Sequence, residues 1–293
     1  MLIAATASRR TIPILQTTAD QSETTLPPTL IAALPGDALP GDAAAIPIAA
    51  TPFSVTAAAG VRPTIIGQSA GGRPIEAWAF GSGERALILV GGIHGGWERN
   101  TVALLEQLIA HFEDAPSDLE PGIRLILIPV ANPDGLALGR TAAGRFNANG
   151  VDLNRNWSCE WSREAYWRRE TVNPGTRAFS EPETQAIANF ILAERPNAVL
   201  FYHSAADGVF AGNCGGDHGS LAVAALYAEA AGYSCCDGFS AYPVTGTAPT
   251  WADGERIPAA DVELTQSDQP EFERNLRAII ALQSWLVRTR DAS

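Results

Sequence analysis

The sequence predicts an α/β domain on three observations. Short apolar runs of strand length and β-branched character recur along the chain. Between them lie stretches whose apolar residues fall at helical spacing. Two of the runs, over 86–90 and 197–204, lead into histidines, His94 and His203. That is the carboxyl end of a strand, where an open α/β sheet collects its ligands. Alternating strands and helices place helices on both faces of the sheet.

In chain order, residues 1–58 are rich in Ala, Pro and Thr and carry the near-repeat Leu34-Pro-Gly-Asp, Leu39-Pro-Gly-Asp. The Pro-Gly pairs are turn signals and no period persists, so an arm or linker is expected ahead of one domain over 59–293. Ordered structure is expected from Ile65, and alternation over 75–80 predicts a strand. Gly81-Ser-Gly83 links it to the buried run 86–90. Then come Gly91-Gly92, His94, Gly95-Gly96 and Glu98, which opens a helical pattern continued over 101–112. His111, late in that pattern, reads as structural. A second buried strand over 123–130 ends in the turn signal Asn132-Pro-Asp-Gly135. The loop that follows, through Arg140, Arg145, Asn147, Asp152, Asn154, Arg155 and Asn156, is too rich in Arg and Asn for a plain connection.

Ser180-Glu-Pro-Glu183 reads as a capping box that launches a helix to about 193. After the strand 197–204, an alanine-rich helix is expected over 219–231 and a late strand over 261–264 carrying Glu263. A closing amphipathic helix is expected over 270–288, with Phe272, Leu276, Ile279, Ile280 and Leu286 on one face.

Composition limits the partners. The 293 residues are 46% hydrophobic and carry a net charge of -12, every one of the 20 basic residues being arginine. An acidic chain without a basic block argues against a nucleic-acid surface, while a small basic site for anionic substrates stays open. No apolar run reaches the length of a membrane span. The first residues, Met-Leu-Ile-Ala-Ala-Thr-Ala-Ser-Arg-Arg, put charge after a short apolar stretch, the reverse of a secretory signal. The expectation is a protein that stays inside or a sequence lacking its original N-terminus. The four cysteines form no C-x-x-C pair, which argues against a cysteine zinc site. A disulfide from Cys214 to Cys235 or Cys236 would suit an exported protein, with buried thiols as the alternative.

Three residues point to one sheet edge: His94, Glu98 and His203. Two histidines and a carboxylate with a fourth position open suit a catalytic zinc. Taken as a pair, His94 and Glu98 also suit a loop histidine and a glutamate that favours the helix dipole. Metal chemistry needs a base near the water, for which Glu263 is the leading candidate, and cations for the substrate, which the arginine-rich loop supplies.

Several motifs in order resemble the zinc metallocarboxypeptidases of the carboxypeptidase A superfamily. They are Gly91-Gly-Ile-His94…Glu98, Asn132-Pro-Asp-Gly135, Gly150-Val-Asp-Leu-Asn-Arg-Asn-Trp157, Ser180-Glu-Pro-Glu-Thr184, His203-Ser204, Tyr242…Thr245-Gly246 and Val262-Glu263-Leu264. The resemblance runs from about Gly67 to the C-terminal helix. It implies a carboxypeptidase-like α/β/α sandwich around a mixed, largely parallel, twisted sheet. It also implies one zinc ion on His94, Glu98 and His203, with Glu263 as general base and then proton shuttle. By the same resemblance, Asn154 and Arg155 grip the substrate's C-terminal carboxylate, and Arg145, with Arg140 as the competing choice, steadies the oxyanion. Tyr242 closes over the peptide and Asp152 orients the first zinc histidine. Pro249 and Thr250, nearest the side-chain specificity position, carry no charge, which argues against a basic or acidic terminal residue. His218, in a glycine-rich loop, is expected to be flexible and apart from the substrate.

One departure stands out: Gly95, Gly96 and Trp97 put three residues between His94 and Glu98 where the family has two. A glycine pair can absorb the extra residue as a bulge. Three functions follow: a zinc exopeptidase acting at peptide C-termini, a related zinc amidohydrolase acting on N-acyl amino acids or cell-wall peptides, and a metal-free peptide-binding module.

Overall fold

In the computed structural model, residues 61–236, 239 and 241–289 are described. The expected arm over 1–58 lies outside them. The elements run β1 (Thr64–Gln68), β2 (Pro74–Phe80), β3 (Arg85–Val90), α1 (Arg99–Asp114), β4 (Ile123–Ile128), α2 (Pro133–Ala137), β5 (Ala165–Trp167) and β6 (Glu170–Val172). After them come α3 (Pro182–Glu194), β7 (Ala198–Ser204), β8 (Gly208–Ala211), α4 (Ser220–Ala231), β9 (Ser234–Cys235), α5 (Ala248–Gly254), β10 (Ala259–Leu264) and α6 (Phe272–Arg288).

Among the described residues the main sheet has 8 strands in the order β1-β2-β4-β3-β7-β10-β8-β9. Its centre, β4, β3, β7 and β10, is parallel, and antiparallel pairings flank it. Central strands covered on both faces read as continuous apolar runs, which is why 86–90 and 198–202 are buried almost without break.

Successive side chains leave a strand on opposite faces, so each central strand feeds two cores. Leu87, Leu89, Leu200 and Tyr202 pack against α1, α4 and α6. Ile88, Val90, Val199 and Phe201 pack against α3 and α5. The result is the α/β/α sandwich expected, with its mixed sheet.

Two expectations need correction. The cap of α3 is Glu181, not Ser180, and the Glu181 side chain makes no capping bond. Ser180 Oγ instead donates to Glu181 Oε1 and accepts from Asn156 Nδ2, while Glu183 turns away to accept from the Ala70 N–H. Tertiary partners outcompete the local box. The disulfides also differ from the expected Cys214 to Cys235 or Cys236. Cys159 bonds Cys214, with the Cα atoms 6.2 Å apart, and Cys235 bonds Cys236. The cause is the sheet: Cys235 packs against the α1/α4/α6 core and Cys159 against the α3/α5 core. No helix among the described residues is long and apolar enough to cross a membrane.

Candidate active site

The ends of β3, β7 and β10 meet at one cleft. After β3 the chain turns at Gly95, whose φ of 45° is left-handed; a Cβ there would sit 2.6 Å from the Gly135 carbonyl carbon. This close backbone approach lets the longer His94-to-Glu98 segment close as a turn, with the Trp97 and Glu98 N–H groups both directed at His94 O. Glu98 is the residue before α1 and still faces His94. The extra residue, Trp97, is accommodated by packing edge-on to Trp167 of β5, 5.2 Å between ring centres. In the parallel pairing of β7 and β10, Glu263 is registered beside His203.

His94, Glu98 and His203 are all buried, and their ligand atoms lie within 4.8 Å of one another. His94 Nδ1 is 2.8 Å from Glu98 Oε1, His203 Nδ1 is 3.1 Å from Glu98 Oε2, and the two Nδ1 atoms are 3.2 Å apart. Each ring turns its other nitrogen outward: His94 Nε2 to Asp152 Oδ1 at 3.2 Å, His203 Nε2 to Asp261 Oδ1 at 3.3 Å. A carboxylate beside Nε2 favours the tautomer that keeps its proton there and leaves a lone pair on Nδ1. Such an inward-facing set of two Nδ1 atoms and a carboxylate needs positive charge among them, either a proton shared with Glu98 or a metal ion in its place. The donor set, two imidazoles and a carboxylate, suits zinc.

Asp152 anchors the arrangement. Its Oδ2 accepts from Arg145 Nε at 2.9 Å and pairs with Nη2 at 2.8 Å, and its Oδ1 accepts from the Asn154 N–H. Burial pushes this carboxyl up, but Arg145 and then His94 outweigh burial and hold it well below the usual carboxylate range. Burial likewise pushes Glu98 up, and the two histidines reverse this to keep it ionised. Burial pulls His203 down, and Asp261 and Glu98 raise it well above its ordinary value.

Glu263 behaves differently. Burial, with Glu98 and Asp261 adding to it against the pull of His203, pushes its pKa up to about 8. Its Oε2 is shielded from solvent and has no hydrogen-bond partner among the described residues. Asp261 Oδ1 shares that condition, its contact with His203 falling short of hydrogen-bond geometry.

A cleft of about 930 Å³ opens over these groups and is also lined by Arg145, Asn154, Arg155 and Tyr242. Arg145 is buried, with Nη1 3.6 Å from Glu98 Oε1. Arg155 bonds Tyr166 O through Nε and Nη2 and Asn154 O through Nη1. Those bonds occupy three of a guanidinium's five N–H groups. Asn154 is largely committed to structure: its Oδ1 accepts from the Ala248 N–H and its Nδ2 lies 3.2 Å from His203 Nε2. Tyr242 is half-buried at the cleft wall. Burial holds its hydroxyl above the usual pKa against the pull of Arg155 and Arg145. Pro249 and Thr250 line the same wall.

Other candidates fall elsewhere. Arg140 lies exposed and donates to Ser267 Oγ, so of the two arginines only Arg145 reaches the cluster. His111 pairs with Asp118 at the end of α1. His218, expected to be flexible, is tied to Asp253 through both its N–H and its Nδ1. Sequence reasoning passed over Asp261, although its period-two offset from Glu263 puts both on one face of β10. It also passed over Trp167, Arg168 and Arg169 on the β5–β6 ribbon.

Sandwich and site together define a metallohydrolase-like architecture, and comparison with known proteins gives the family. Residues 58–213 match the peptidase M14 family, described as zinc carboxypeptidase, and the chain belongs to it. Murein peptide amidase A of Escherichia coli K12 is 35% identical over 133 residues, covering 42% of this chain and 50% of the amidase. The chain spans half the length or less of the first curated relatives it matches. Among solved structures, bovine thrombin-activatable fibrinolysis inhibitor, in complex with tick carboxypeptidase inhibitor, superposes with a TM-score of 0.65 at 20% identity, covering 78% of this chain and 91% of that one. Murein-tripeptide amidase MpaA from Escherichia coli O157 superposes with a TM-score of 0.58 at 25% identity, covering 76% and 91%.

Proposed function

We propose that this chain is a zinc-dependent exopeptidase that hydrolyses the C-terminal bond of peptides, with one zinc ion on His94, Glu98 and His203. One observation carries the reading: Glu263 Oε2, a shielded carboxylate oxygen without a donor, belongs to the residue registered beside His203. Zinc, when bound, polarises a carbonyl and lowers the pKa of water toward neutrality. The chain's own residues do the rest. Glu263 takes a proton from the attacking water and returns it to the leaving nitrogen, a task suited to a carboxylate whose pKa burial has raised toward the working pH. Arg145, held by Asp152 through Nε and Nη2, keeps Nη1 to donate to the developing oxyanion. Arg155, with two N–H groups uncommitted, takes the substrate's terminal carboxylate. Tyr242 donates its hydroxyl to bound peptide, and Asn154 holds the start of α5 through its Oδ1, close beside His203.

The likeness to a murein peptide amidase supports a second reading, in which the same groups cleave an amide bond of cell-wall peptides and Arg155 holds a carboxylate of that peptide. A digest of a mixed peptide library by wild type and Glu263→Gln, followed by mass spectrometry, separates the readings. Stepwise loss of terminal residues from free but not amidated peptides, by wild type alone, is the expected result. Equal cleavage of amidated peptides would replace the exopeptidase with an amidase. Identical wild-type and variant profiles would remove Glu263 as the base.

A further inference from the structure

The cleft sits in an acidic protein, net charge -12, yet four arginines line it: Arg145, Arg155, Arg168 and Arg169. The first two are buried and already have their parts at the reacting end. Arg168 and Arg169 are exposed, at the tip of the β5–β6 ribbon, where Trp167 pairs with Glu170 across the turn. Arg168 lies 5.4 Å over the Trp167 ring, and neither tip side chain makes a hydrogen bond or ion pair among the described residues. Arg168 takes a φ of 59°, a left-handed conformation that costs a side-chain-bearing residue energy and usually falls to glycine.

The ribbon is fastened to the site at two points. Tyr166 O accepts from Arg155 Nε and Nη2 at 3.1 and 3.0 Å. Trp167 lies under the Arg145 guanidinium at 4.7 Å and against Trp97. The tip therefore holds a fixed place relative to the two arginines that face the reacting bond. The acids lining the cleft are mostly at its floor, Glu98, Asp261 and Glu263 by the histidines; Glu160 is the exposed one.

We propose that Arg168 and Arg169 form an anion subsite that binds a second substrate carboxylate, besides the one Arg155 takes, so that the preferred substrates are acidic peptides. This rests on the hydrolase reading above and adds the substrate class to it. The deep arginines fix the reacting end, and the ribbon tip selects what lies further along the chain. Recognition of this kind is exposed and hence modest and salt-sensitive.

The test uses tripeptides carrying Glu or Gln at each position in turn, read twice. Cleavage gives kcat/KM with the zinc-loaded wild type, and calorimetry gives binding in the Glu263→Gln background. At one position Glu is expected to exceed Gln about fivefold in both readings, a preference that fades at about 0.5 M salt. The same preference is expected to disappear in Arg168→Gln/Arg169→Gln. A single Arg169→Glu variant should move the preference at that position to Lys, a gain that misfolding cannot produce. Absence of any Glu preference in wild type, or its survival in the double variant, overturns the subsite. If no peptide is cleaved while the arginine-dependent preference in binding persists, the hydrolase reading falls and the subsite stands.

Discussion

His94 and His203 face each other through their Nδ1 atoms, 3.2 Å apart, and each turns its Nε2 toward an aspartate, Asp152 on one side and Asp261 on the other. The symmetry matters because an imidazole offers a lone pair on one nitrogen when a carboxylate holds the proton on the other. Glu98 bridges the two inner nitrogens. The proton that Asp261 and Glu98 favour on His203 holds the metal-free cluster together, and a divalent cation would take its place.

Zinc should therefore stabilise the folded chain strongly. With free zinc at about 1,000 times its Kd, linkage adds about 4 kcal/mol, or roughly 8–16 °C in Tm for a domain of this size. Thermal unfolding with and without chelator measures it. A Tm that ignores zinc would remove the metal centre, and His94→Ala should abolish the response.

Asp152→Asn should weaken metal affinity about 10- to 100-fold, because it strips the carboxylate that orients His94. It also leaves the Arg145 fork without its ion-pair partner. Competition with a zinc-binding dye reads the affinity directly. Unchanged affinity would make Asp152 a brace for Arg145 alone.

Much of this site was legible because its residues sit where strands end. His94 follows one apolar run, His203 lies at the end of another and Glu263 near the end of a late strand, so apolar runs of strand length sufficed to bring them together. Asp261 carried the same signal but was indistinct from any strand carboxylate without the distance to His203. The ribbon was invisible because strands of 3 residues hold too little alternation to register, and α5, 7 residues long, holds too little helical period. The disulfide partners depended on which face of the sheet each cysteine meets, and the α3 cap on Asn156, 24 residues away from Ser180. None of these is a local property of the sequence.

The metal-free protein should lose stability as pH rises from mildly acidic to mildly alkaline. Glu263 has its pKa raised from 4.5 to about 8, so between those values the folded state keeps a proton that the unfolded state releases. His203 is raised well above 6.5 and adds the same sign, its stabilisation being present below that value and lost as pH climbs through the folded one. Glu98 and Asp152, held low, act oppositely and only in acid, where their contribution is lost as they protonate. Tm in chelator should thus fall from about pH 5 to pH 8, less steeply in Glu263→Gln, and zinc should flatten the slope by taking the protons' place. A chelated protein that gains stability over this range would contradict the assignment.

Arg155 is the sharpest test of how substrate is held, because its structural and functional roles separate. Its Nε, Nη1 and Nη2 already serve the carbonyls of Tyr166 and Asn154, so complete removal would disturb the ribbon as well as the cleft. Arg155→Lys keeps a cation able to reach one of those carbonyls while losing the planar fork that meets a carboxylate with two parallel bonds. If the fork grips a terminal carboxylate, KM for peptides with a free C-terminus should rise about 10- to 100-fold, the worth of charge-assisted hydrogen bonds. Peptides whose terminus is already amidated have no such bond to lose and should bind wild type and variant alike. Steady-state kinetics on matched free and amidated peptides reads both. An equal loss on the two series would reduce Arg155 to a strut for the ribbon, and the carboxylate would then have to be held elsewhere in the cleft.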